Sequence, residues 1–145
     1  MIYIFDIDGT LADLSHRLHH IQKTPKDWTG FFANCEGDSP ILEIVEIAKN
    51  LAWAGHTVVY STGRTEDTRK LTEDWMDKYG LPDAEMFMRK TGDHREDNIV
   101  KSELLDSIID IFGKDIAGVF EDRQQVVDMY RARGLRVFQV APGNF

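Results

Sequence analysis

The chain has 145 residues, 17 Lys plus Arg against 25 Asp plus Glu, a formal charge of −8 and 42% apolar residues. This suits one compact domain with a full core and excludes a disordered chain, while the excess acid argues against sequence-blind coating of nucleic acid. With no apolar run near the roughly 20 residues that cross a bilayer, no basic leader and a single Cys35, a soluble, cytoplasmic protein with no membrane partner is expected.

Ile2 to Phe5 reads as a short buried strand, and Asp6-Ile7-Asp8-Gly9-Thr10 as the turn after it. The next stretch, about 13–38, does not fit the alternation that follows and reads as an insertion with its own short helix. Ile41, Ile44, Val45, Ile47, Ala48 and Leu51 form an apolar stripe opened by Ser39-Pro40 and closed by Gly55. Thr57 to Tyr60 predicts a second strand, ending at Ser61-Thr62-Gly63-Arg64. Leu71, Trp75 and Met76 mark a helix before Gly80. Glu85 to Met88 is a third strand, followed by a helix carrying Ile99, Val100, Leu104, Leu105, Ile108 and Ile109. Ile116 to Phe120 is a fourth strand, ending at Glu121-Asp122. Val126, Val127, Met129 and Tyr130 mark the last helix, and Leu135 to Val140 the fifth strand.

Strand alternating with helix predicts an α/β fold: one three-layer, Rossmann-like domain over 1–145, with a five-stranded parallel sheet and helices on both faces. Trp53, Trp75, Phe87, Phe112 and Phe138 lie in apolar patterns and are expected in the core. Cys35 is expected to be structural.

Sites in such sheets form beyond the carboxyl ends of the strands. Asp6 and Asp8 end the first strand, where two close acids call for a cation or a shared proton. One can attack an electrophile such as phosphorus while the other transfers the proton. Gly9 permits the sharp turn, and Thr10 can hydrogen-bond within it. Thr62, or Ser61 beside it, offers a hydroxyl. Gly63-Arg64 brings a guanidinium suited to phosphate oxygens. Lys101 adds a cation. Glu121-Asp122 reads either as an acidic helix cap or as metal ligands. Mg²⁺ favours such oxygen donors: Asp6, the Asp8 carbonyl and Asp122 would suffice.

This ordered set, Asp6-Ile7-Asp8-Gly9-Thr10, Thr62, Lys101 and Glu121-Asp122, resembles the haloacid dehalogenase superfamily of phosphohydrolases. The resemblance implies that superfamily's fold, with a small cap inserted after the first strand, and a two-step reaction. Asp6 would form an aspartyl-phosphate. Asp8 would protonate the leaving group and then activate water. Thr62 and Lys101 would bind the transferring phosphoryl. Over most of the chain the sequence is similar to the 3′-phosphatase domains of bacteriophage polynucleotide kinase-phosphatases, above all in Glu121 to Phe145. That similarity implies phosphate-site roles for Arg17 and Arg64, with Thr10 and Gly63 beside them. It also implies Asp97 as support for the metal or lysine network. Glu121 stands where the family often has Asp.

The expected activity is therefore Mg²⁺-dependent removal of 3′-phosphate from nucleic-acid ends, as in end repair. The alternative is a 5′(3′)-nucleotidase acting on free nucleotides. A receiver-type phosphoacceptor domain would need an acid at the end of the third strand, where Met88-Arg89 stands instead. No G-x-x-x-x-G-K-[ST] occurs, so no fused kinase is expected, and a monomer is the default. The insertion carries Arg17, Lys23, Lys26 and three histidines. His16 beside Arg17 would touch phosphate or ribose if the insertion overhangs the rim. Trp28, Phe31 and Phe32 read as the insertion's own small core, with base stacking as the other use.

Overall fold

The computed structural model describes residues 1–143; Asn144 and Phe145, which close the matching run at the chain end, lie outside the described residues. The central sheet has five parallel strands: β1 (Ile2–Phe5), β4 (Thr57–Thr65), β5 (Met86–Arg89), β6 (Ile116–Arg123) and β7 (Val137–Gly143), in the order β5-β4-β1-β6-β7. Strand β1 lies at the centre, with Ile4 in register with Val59 on one side and Val119 on the other. The chain runs outward through β4 and β5, then returns across β1 to β6 and β7. That reversal opens a crevice at the carboxyl ends of the strands.

Period-two alternation shows why the central strands are apolar throughout. Ile2, Ile4 and Val59 pack on one face with Leu105 and Ile108 of α5 (Asp97–Phe112) and Val126 and Val127 of α6 (Gln124–Ala132). Phe5, Val58 and Tyr60 pack on the other with Val45 and Ala48 of α3 (Leu42–Trp53) and Trp75 and Met76 of α4 (Arg69–Lys78). A sheet covered by helices on both faces has no solvent side to reward polar residues.

Between β1 and α3 a two-residue antiparallel ladder, β2 (Ala12–Asp13) with β3 (Ser39–Pro40), closes the base of a small cap. The cap holds two short helices, α1 (His19–Gln22) and α2 (Trp28–Ala33), rather than one. Its core is Leu14, Ile21 and Phe31, too small for more than one layer.

The structure corrects some expectations. Strands β4, β6 and β7 run past Tyr60, Phe120 and Val140, and register shifts fall at Thr62/Thr65 and Glu121/Arg123. The site residues expected just after the strands thus lie in their irregular last steps. Trp53 is 93% exposed rather than in the core. It lies roughly 140° around α3 from Ala48, off the buried stripe. Phe138 is 42% exposed on the edge strand, although its ring lies 5.0 Å from that of Phe120.

Helix α5 offers a direct check on this packing. Ile108 is fully buried, whereas Ile111 is 66% exposed. Ile108→Ala should cost about 2–5 kcal/mol in urea unfolding, and Ile111→Ala less than about 0.5 kcal/mol.

Candidate active site

The motif after β1 folds into a tight loop because three N–H groups, those of Thr10, Leu11 and Ala12, converge on the Ile7 carbonyl. Gly9 has φ of +81°, and a Cβ there would lie 2.1 Å from Asp122 Oδ2. Only glycine lets this loop approach the end of β6. The same loop returns Thr10 to Asp6, where its Oγ1 donates to Asp6 Oδ2 at 3.1 Å.

Around Asp6 lies an acid-rich cluster. Lys101, buried on the first turns of α5, donates to Asp6 Oδ1 at 2.7 Å and to Glu121 Oε2 at 2.8 Å. Asp97 Oδ2 lies 3.8 Å from the same ammonium. Burial alone would lower the Lys101 pKa, but Asp6, Glu121 and Asp97 outweigh it and hold it well above the ordinary lysine range. Glu121 Oε1 accepts from the backbone N–H groups of Asp122 and Arg123, both at 3.1 Å, so both its oxygens have protein partners. Asp122 differs: its Oδ1 is buried without a hydrogen-bond partner. Burial first, then the charge of Asp6, pushes the Asp122 carboxyl up to about 8.

Asp6, Glu121 and Asp122 each offer an oxygen within 4.8 Å of the others. Three buried carboxylates, one with an orphaned oxygen, fit a hard divalent cation such as Mg²⁺. Among the described residues no other His, Cys, Asp and Glu group has such geometry, and Asp97 lies outside this one.

A second cluster lies behind Asp8. Arg17 and Arg64 are both fully buried. Arg64 donates to Asp8 Oδ1 through Nε at 3.1 Å and through an amino group at 2.7 Å, and Arg17 donates to the same oxygen. Burial would raise the Asp8 pKa, but the Arg64 and Arg17 charges overcome it and hold the carboxyl well below the usual range. Both guanidiniums also converge on Asp38, with Arg17 at 2.8 and 2.7 Å and Arg64 at 3.1 Å. The Arg17 guanidinium lies 4.2 Å over the Phe31 ring, and Arg64 reaches Thr72 Oγ1 at 3.1 Å.

Asp38 is the residue that sequence reasoning missed. It ends the cap beside Ser39-Pro40, where an acid reads as an ordinary turn residue. Nothing local in the sequence marks it, because its role rests on two arginines that only the fold buries, and a buried cation needs a partner.

The remaining expected residues fall as follows. A cavity of about 740 Å³ is lined by Asp6, Asp8, Gly63, Asp97, Lys101, Glu121 and Asp122, and by residues of the cap and of the 91–96 segment. Arg17, Arg64, Thr10, Thr62 and His16 do not line it. Thr62 is buried, and its Oγ1 accepts from the Arg64 N–H at 3.1 Å. His16 turns its Nε2 to Asp38 Oδ1 at 2.7 Å, away from the cavity. Gly63 permits close approach, because a Cβ there would lie 2.2 Å from Asp97 Oδ1.

A parallel sheet ending in a paired-acid loop, a buried lysine and an acid pair, under a small cap, defines a phosphatase domain of the haloacid dehalogenase superfamily. The family model for the polynucleotide kinase PNKP phosphatase domain matches residues 1–145, and the chain belongs to that family. It is similar to a chain of the Pnkp1/Rnl/Hen1 complex, with 31% identity, a TM-score of 0.83, 99% of this chain covered and 46% of that one. A chain of the Pnkp1/Rnl/Hen1 RNA repair complex matches at 29% identity and a TM-score of 0.80, over 99% and 43%. This chain thus spans less than half the length of either. The class C acid phosphatase of Bacillus anthracis shares the fold, at 16% identity and a TM-score of 0.70 over 99% and 66%.

Two measurements check this electrostatic reading. Asp38→Asn should cost about 3–5 kcal/mol in urea unfolding, because it removes the counter-charge of two buried guanidiniums; a loss under about 1 kcal/mol would remove Asp38 as their anchor. Mg²⁺ at about 100 times its Kd should stabilise the metal-free protein by roughly 2.7 kcal/mol. Asp122→Asn should abolish most of that gain in thermal unfolding.

Proposed function

We propose that this domain is a Mg²⁺-dependent phosphomonoesterase that removes 3′-phosphate from polynucleotide ends through an aspartyl-phosphate on Asp6. The observation that carries the reading is the setting of Asp6. It is a buried carboxylate that bonds Lys101 and Thr10, sits within the cation-ready group, and lines an open cavity.

In the first step an Asp6 oxygen attacks phosphorus, and the ester oxygen leaves with a proton. In the second, water attacks the acyl phosphate and frees both Asp6 and inorganic phosphate. Asp8 stands beside this chemistry, held ionised by Arg64 and Arg17. In that state it suits the second step, where it takes the proton of the attacking water. For the first step it must carry a proton, and the negative charge of the arriving phosphoryl group raises its pKa toward that state. Arg17 and Arg64 serve the phosphate site by aiming and charging Asp8. Thr62 keeps the Arg64 backbone in place.

Lys101 neutralises charge on Asp6 and on the transferring group, while Glu121 and Asp97 hold its ammonium. Asp6, Asp122 and the Asp8 carbonyl would hold Mg²⁺, which supplies further charge neutralisation on the phosphoryl oxygens. The polynucleotide end as substrate is supported by family membership and by the likeness to a chain of an RNA repair complex.

Parallel assays decide the matter. The protein should release phosphate from a 3′-phosphorylated oligonucleotide and not from a 5′-phosphorylated one, and EDTA should stop it. Turnover of free nucleotides alone would make it a nucleotidase instead. Asp6→Asn should lower turnover of an aryl phosphate by at least about 10⁴-fold with an unchanged circular dichroism spectrum.

A further inference from the structure

The three cap aromatics that read as one small core do different things. Phe31 is 2% exposed and packs with Leu14 and Ile21. All three line the same cavity as Asp6 and Asp8, but Trp28 is outside that cluster and, at 37%, is the exposed one of the three. A bare aromatic on a convex surface needs no explanation, but one in the wall of a cavity beside reacting groups marks a contact for a ligand.

The indole is firmly supported. The Phe32 ring, one helical turn on, stacks with it at 5.9 Å and 25° between planes. The Phe31 ring meets it at 67° and 5.6 Å. Lys26 Nζ lies 5.7 Å from its ring centroid. With these neighbours in place, Trp28 still keeps 37% of its surface exposed and contributes to the cavity lining.

Another wall of the cavity is equally fixed. Arg89 donates to the Gly63 carbonyl at 2.9 Å and to the carbonyls of Asp93 and Arg95 at 3.1 and 2.7 Å. Arg95 pairs with Asp93 and Glu103 at 2.7–3.0 Å. Residues 91–96 are thereby pinned beside β4 and α5. The result is a preformed cavity with a rigid aromatic surface at the cap and carboxylates and a lysine at its buried end. Such a site fits a flat group with a π-face attached to a phosphoester.

We propose that Trp28 is a stacking platform for the terminal nucleobase of the substrate, the base whose sugar carries the 3′-phosphate. This rests on the phosphomonoesterase reading of Asp6 and adds to it the part of the substrate that the cap reads. Every base has a π-face, so the platform should accept all four bases with little preference. It should also serve a polynucleotide end and a nucleoside 3′-monophosphate alike, since both present the same terminal base.

The experiment compares 3′-phosphorylated oligonucleotides that end in a normal nucleotide or in an abasic residue, together with a nucleoside 3′-monophosphate. For the wild-type protein the base-bearing end should have the higher kcat/KM. In Trp28→Ala the ratio of kcat/KM between base-bearing and abasic ends should fall about tenfold, with the change falling on KM. Trp28→Phe should restore most of the ratio. An unchanged ratio in Trp28→Ala would overturn the platform, as would an equal loss on both ends, which would indicate general damage to the cap. If the wild-type protein hydrolyses an aryl phosphate but none of the nucleic-acid substrates, the nucleic-acid reading itself fails and the platform falls with it. The nucleoside 3′-monophosphate should lose about as much kcat/KM in Trp28→Ala as the base-bearing oligonucleotide; a loss confined to the oligonucleotide would overturn the terminal base as the stacked group.

Discussion

The site depends on one buried ammonium. Lys101 is 1% exposed, yet it is held charged because Asp6, Glu121 and Asp97 surround it. Remove that charge and Asp6, Glu121 and Asp122 face one another with no cation. Even with it, the cluster holds more acid than base. Asp122, with an orphaned oxygen and a pKa raised by burial and then by the Asp6 charge, stands where that imbalance is felt. An acid excess of this kind is what a divalent cation relieves.

The second cluster is built on the opposite principle. Two guanidiniums meet two carboxylates, Asp8 and Asp38, so the group is balanced within itself. It has no deficit for a cation to fill. Its effect is positional, since it fixes one oxygen of Asp8 from two directions and keeps the group ionised. A buried salt-bridge network adds little net stability over apolar packing, because desolvation offsets most of the attraction. What the network does here is hold the Asp8 carboxylate in place. The cap thus reaches Asp8 through Asp38 and Arg17, and residues of α2 line the cavity.

The sheet brings the two clusters together. Asp6 and Asp8 leave the central strand, with Thr62 and Arg64 on one neighbour and Glu121 and Asp122 on the other. Parallel strands in this register deliver all of these groups to one rim. The register shifts at the ends of β4 and β6 let the chain turn there without losing its hydrogen bonds to the sheet.

Much of this is written locally in the chain. Period-two and period-3.6 patterns define strands and helices from nearest neighbours alone, so the alternation and the parallel sheet are legible. So is the loop after β1, because Gly9 and its flanking acids carry their geometry with them. Residues whose meaning depends on distant partners are not legible. Lys101 alone looks like a surface lysine, and only the packing of α5 against β4, β5 and α6 buries it against Asp6 and Glu121. Arg17 and Arg64 look like phosphate ligands until folding seats them behind Asp8, and Asp38 gains its role only there. Trp53 and Trp28 both look like core residues, and only the helix axes show that one faces solvent and the other the cavity. Sequence by itself determined the fold class and the order of reactive groups. The tertiary structure decided which charges are buried together, because Coulomb and desolvation energies follow distances in space, not spacing along the chain.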